Sequence, residues 1–110
     1  MGLLEVTKGA IVEAVALINE IGVTCFYTYK DGTTQIKIKA LVREMATAEL
    51  ISDYRQGDMK VELDANSLPS QPKKYDVLKI NNKRYAIKDD STPRRVGDTI
   101  YTWRFVVRGR

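Results

Sequence analysis

The hydrophobic period of this chain changes once, at Gly22, and that change constrains the fold more than any other feature. Before it, Ile11, Ala14, Val15, Ile18 and Ile21 recur at three- and four-residue steps, which gathers them on one side of a helix over residues 8–21. Thr7 suits the N-cap and Gly22 a C′ stop. Val12 and Leu17 widen the apolar stripe beyond what one small core needs. A stripe this broad is buried on more than one side, or it meets another copy of the chain.

After Gly22 the period is two. Val23 to Tyr29 is rich in β-formers, and Thr34 to Arg43 alternates Ile36, Ile38, Ala40 and Val42 with Gln35, Lys37, Lys39 and Arg43. Asp31-Gly32 between the two runs is a hairpin-turn signal. Lys37 and Lys39 project from the polar face, which therefore sees water or a partner. Residues 45–54 fit either a short helix or a bent strand. Gln56-Gly57-Asp58 is turn chemistry before a strand from Met59 to Leu63, and residues 64–76 read as a polar loop.

The last third is a compact β-motif. Residues 77–80 and 85–88 flank Asn81-Asn82-Lys83, a turn in which asparagine accepts positive φ. Residues 89–98, with Pro93, Gly97 and the Arg94-Arg95 pair, read as a long mobile loop. The closing strand, 99–108, places Tyr101, Trp103 and Phe105 on one face, which should be core. The expectation is one domain over 1–110 in the mainly β (α+β) class. An N-terminal helix (1–22) precedes a small antiparallel β-barrel or sandwich of about six strands (23–110).

The residues that usually carry chemistry are scarce. The chain has no histidine and one cysteine in 110 residues, which removes imidazole bases, intramolecular disulfides and most zinc sites. Cys25, between Thr24 and Phe26 in a strand, reads as a small core residue. The acidic pairs Asp53/Asp58 and Asp89/Asp90 read as turn formers, and Gly57 and Gly97 as isolated turn glycines rather than a phosphate loop. The expectation is no catalytic, cofactor or metal site, and hence no enzyme. No apolar run approaches the roughly 20 residues of a membrane span, and no secretion signal is visible.

Charge is unevenly placed. Residues 1–69 carry seven basic and ten acidic side chains, whereas residues 70–110 carry eleven basic and four acidic, within a net charge of +4. The basic third faces nucleic acid, an acidic partner or water. Lys88, Arg94 and Arg95 concentrate this charge in the expected loop, where a contact that tracks a phosphate backbone needs no stacking. A small nucleic-acid-binding β-barrel is therefore one function class.

A second class comes from a resemblance. Ile51-Ser52-Asp53-Tyr54 is followed in order by Gly57-Asp58-Met59-Lys60-Val61, Pro72, and Tyr75-Asp76-Val77-Leu78-Lys79-Ile80. Arg84-Tyr85-Ala86-Ile87, Thr92-Pro93, Gly97 and a strand from Tyr101 to Arg108 complete the series. This order over about 60 residues resembles the head–tail joining (head-closure or neck connector) proteins of tailed bacteriophages. The family more often has glycine where Asn81-Asn82 stand here, and its members begin directly with strands. The station therefore stays open between head-closure ring, tail terminator and another small tail subunit.

The resemblance implies a virion structural protein, present in the host cytoplasm during assembly. It would form a homo-oligomeric ring, commonly sixfold, between the portal side of the capsid and the tail, and let DNA through. Its partners would be other virion proteins, with non-specific DNA contact and no membrane. On that reading Arg94, Arg95 and Lys88 face the DNA channel or a partner. Val12, Leu17, Lys37 and Lys39 face the neighbouring subunit.

Overall fold

A computed structural model describes residues 13–44 and 57–109. A helix, α1, runs over residues 13–21 and leads through Gly22 into the first of seven strands. These are β1 (Val23–Thr28), β2 (Ile36–Glu44), β3 (Met59–Asp64), β4 (Val77–Ile80), β5 (Lys83–Ile87), β6 (Thr92–Val96) and β7 (Thr99–Gly109). All pairings are antiparallel. The order β3-β2-β1-β4-β5-β7 closes on itself through β3–β7, giving a six-stranded barrel with β6 added to β7. Closure leaves the ring strands no free edge.

The length of β7 follows from its neighbours. One edge pairs with β3 over residues 102–107. The other pairs with β6 over residues 99–104 and then with β5 over residues 107–109. No shorter strand could bridge both.

Alternation sorts the side chains. Cys25, Tyr27, Ile38, Ala40, Val61, Leu63, Leu78, Ile87, Phe105 and Val107 fill the interior and are buried. Two of the three aromatics expected in the core from β7, Trp103 and Phe105, are buried, while Tyr101 is half-exposed. Burial pushes the Cys25 thiol up from 9.0 to about 11, as befits a small core residue. Asn81 and Asn82 make the β4–β5 turn with φ of 50° and 65°, the left-handed pair of a tight hairpin.

Three expectations need correction. Residues 89–98 are not a long loop: Thr92–Val96 is strand β6, joined to β7 through Gly97 at φ 59°. Pro93 concealed the strand, yet β6 has a single neighbour, where a missing N–H is tolerated. A register shift at Arg94/Arg95 further blurs its alternation.

Gly22 is the second. It does stop α1 as expected, following its last residue and donating its N–H to the Ile18 carbonyl at 3.0 Å, but its φ is not left-handed, so the reason for glycine differs. Glycine is required because a Cβ there would lie 2.3 Å from the Ile18 oxygen and 3.2 Å from the Ala40 backbone.

The third is Ile21, expected in the core stripe but 65% exposed at the end of α1, whereas Ile18 is fully buried. The polar loop 64–76 also has more structure than expected. It holds a 3-10 turn at Ala65–Ser67, capped by the Asp64 side chain, and buries Leu68, Pro72 and Asp76. Residues 8–12 of the expected helix, Val12 among them, lie outside the described residues, as do 45–56 with Asp53 and Tyr54.

Candidate interaction surface

The buried carboxylates are engaged within the fold. Asp76 accepts from the Tyr27 hydroxyl at 2.5 Å, the Lys30 N–H at 2.8 Å and the Lys73 N–H at 3.0 Å. It clasps the β1–β2 turn to the loop before β4. Burial first, then this hydrogen bond to a carboxylate, holds the Tyr27 hydroxyl well above its ordinary range. Asp58, 2% exposed, takes a two-pronged contact from Arg108 at 2.9 Å for each oxygen. Asp90 accepts from the Lys74 N–H at 2.9 Å, and Asp89 pairs with Lys88 at 3.2 Å. Among the described residues every buried side-chain nitrogen and oxygen has a partner, and no three metal-ligating side chains come together.

The barrel exterior divides in two. Over β3, β7 and β6 the charges are mixed: Glu62 accepts from Thr102 at 2.6 Å and pairs with Arg94 at 3.2 Å. Over β2, β1, β4 and β5 they are not. The register places Lys37 of β2 opposite Phe26 of β1, Phe26 opposite Lys79 of β4, and Lys79 opposite Arg84 of β5. Strands lie about 4.8 Å apart, so this row is a stripe about 14 Å long across four strands. Phe26 is 37% exposed at its centre. Lys37, Lys79 and Arg84 make no hydrogen bond or ion pair among the described residues. Apart from Glu44 at the far end of β2, these four strands expose no aspartate or glutamate. Lys79 and Arg84 are like charges directly opposite one another, an arrangement that destabilises a sheet.

The expected site residues are thus dispersed. Lys37 belongs to the stripe. Lys39 is exposed, but its Nζ donates to the Asn19 carbonyl at 3.1 Å, where the last turn of α1 welcomes a cation. Leu17 is 46% exposed, as a spare apolar position requires, and Ile21 stands beside it. Arg94 and Arg95, expected to act together, are separated: the first pairs with Glu62 and the second is exposed on β6. Lys88 has only 12% of its side chain exposed and pairs with Asp89.

Phe26, Lys79 and Arg84 were not singled out in the sequence. Alternation marks each of them as outward. Only the pairing of β1 with β4, strands about 50 residues apart, puts them in one row. The sequence matches no protein-family model, and no curated protein matches it.

Proposed function

We propose that this chain is a structural subunit of a tailed-phage virion, a head–tail connector of the neck that assembles as a ring between the DNA-filled capsid and the tail. A tail terminator or another small tail subunit is the nearest variant of this reading. The single observation that carries it is the contrast between a satisfied interior and an unsatisfied exterior stripe. Among the described residues the buried polar groups are consumed by the fold, while Lys37 and Lys79 flank an exposed Phe26, with Arg84 beyond Lys79 and no anion paired to any of the three. That is the equipment of a part that docks. The resemblance of its landmark order to that of head–tail joining proteins suggests the assembly in which it docks.

A stop codon in the gene, in the phage that encodes it, tests the reading. The expected result is filled heads and free tails accumulating apart, with joining restored by supplying the protein in trans. Intact tailed particles lacking the protein would overturn it.

The same stripe favours a second reading, a small nucleic-acid-binding barrel, because a cationic row with a central aromatic is how such barrels hold single strands. Salt separates the two. A dedicated binder loses affinity with a slope of about −0.7 for each phosphate neutralised, whereas a connector subunit shows little binding as a monomer.

A further inference from the structure

The exposed face of α1 is the chemical complement of the stripe. Leu17 is 46% and Ile21 65% exposed, and helical geometry sets Glu13 and Glu20, both exposed, within about 60° of Leu17 around the axis. The helix therefore presents acid, apolar, acid. The stripe presents base, apolar, base, as Lys37, Phe26 and Lys79. Spacings agree as well: seven residues at 1.5 Å separate the two glutamates by about 10.5 Å along the axis. Two inter-strand steps separate the two lysines by about 9.6 Å.

We propose that α1 of one copy of this chain lies across the strands of a second copy, with Leu17 on Phe26 and with Glu13 and Glu20 against Lys37 and Lys79. Charge complementarity selects the occupant. Residues 13–21 of α1 carry Glu13 and Glu20 and no basic side chain, whereas the stripe carries Lys37, Lys79 and Arg84, so copies that stack helix on stripe neutralise each other's surplus. The contact is heterologous, a helix face on a strand face, and this symmetry closes rings. In that respect the proposal rests on the ring reading above. Three partly exposed apolar side chains make a small contact, which forms when copies are held together on a platform rather than in dilute solution.

Disulfide trapping at a protein concentration of several hundred micromolar tests it, using Leu17→Cys and Phe26→Cys, both at exposed positions. Native Cys25 is buried and stays out of the reaction. A mixture of the two single variants should give dimers, and the double variant a ladder of higher oligomers. Lys37→Glu with Lys79→Glu in the Phe26→Cys chain should cut the yield roughly tenfold. Adding Glu13→Lys and Glu20→Lys to the Leu17→Cys chain should restore it.

Trapping no greater than that of a Leu17→Cys and Asn82→Cys control would overturn the proposal. If the double variant stops at dimers, the helix-on-stripe contact stands and the ring reading fails. If higher oligomers form without the Leu17–Phe26 link, the ring reading survives and this contact falls. Absence of trapping together with salt-sensitive binding of oligothymidylate that depends on Lys37 and Lys79 would give the stripe to nucleic acid instead.

Discussion

The two sides of the barrel solve the same problem in opposite ways. Both present charged side chains on alternate strand positions. On the β3–β7–β6 side, acid and base answer each other: Glu62 serves Arg94 and Thr102, and Asp58 grips Arg108 where β3 begins. On the β2–β1–β4–β5 side, Lys37, Lys79 and Arg84 stand in register with no acid among them. On the first side folding supplies anions for Arg94 and Arg108, although Arg95 and Arg104 stay exposed. On the second it supplies none to Lys37, Lys79 or Arg84, and on the reading proposed above that side is the docking surface.

The sharpest way to break the comparison is to make the satisfied side unsatisfied. Asp58→Ala removes the two-pronged contact to the Arg108 guanidinium, 30% exposed, from a carboxylate site that was 2% exposed. Removing one partner of so buried a pair costs about 3 kcal/mol. Thermal unfolding should fall by roughly 10–20 °C, as read by circular dichroism. A smaller version uses Glu62→Gln, which keeps volume but weakens the bonds to Arg94 and Thr102 and should cost about 1 kcal/mol. If either change were neutral, the claim that this side is completed by its own ion pairs would be wrong.

The interior shared by both sides gives a test by pH. Cys25 loses its proton near 9.0 when exposed and near 11 when folded, and Tyr27 is shifted in the same direction. Both groups therefore deprotonate first in the unfolded chain. The Cys25 contribution to stability is full below about pH 9 and is lost as pH rises towards 11, whereas that of Tyr27 is full up to about pH 10 and declines only above it. Melting temperature should drop by several degrees across that window, and Cys25→Ala should flatten the early part of the fall. Cys25 should also resist thiol reagents until the barrel unfolds.

What the sequence conveyed, and what it withheld, follows from the range of each signal. The switch of period at Gly22, the Asp31-Gly32 and Asn81-Asn82 turns and the inward alternation of β7 are local, so helix, hairpins and core were all legible. Strand β6 was hidden by a proline that is harmless on a strand with one neighbour. Gly22 was legible as the helix stop, but only part of its reason was: a Cβ there would meet the local Ile18 oxygen at 2.3 Å and, at 3.2 Å, the backbone of Ala40, which only the folded barrel brings near. Of the candidate site, Lys37 and Leu17 were visible as residues expected to face a neighbouring subunit. Their counterparts Phe26, Lys79 and Arg84 were not, since cross-strand register is a property of the closed barrel and no single segment encodes it. The pairing of Arg94 with Glu62, 32 residues apart, was invisible for the same reason.

The smallest expected effect is also the most specific, because its sign is reversed. On the unsatisfied side, removing a charge should stabilise the isolated chain. Lys79 has a cation, Arg84, directly opposite on β5, so Lys79→Glu replaces a repulsion with an attraction across one strand gap. Such exposed pairs are worth only about 0.3–1 kcal/mol, and the gain should show as a rise of roughly 2–5 °C in melting temperature at low salt. Screening supplies the control. At 1 M salt the Debye length shrinks to about 3 Å, shorter than the gap between the strands, and the gain should vanish. The cost of Asp58→Ala, which comes from a desolvated pair, should persist under the same conditions. A Lys79→Glu variant less stable than the parent at low salt would show that the stripe already has an anion within the chain, and the two sides of the barrel would then be alike.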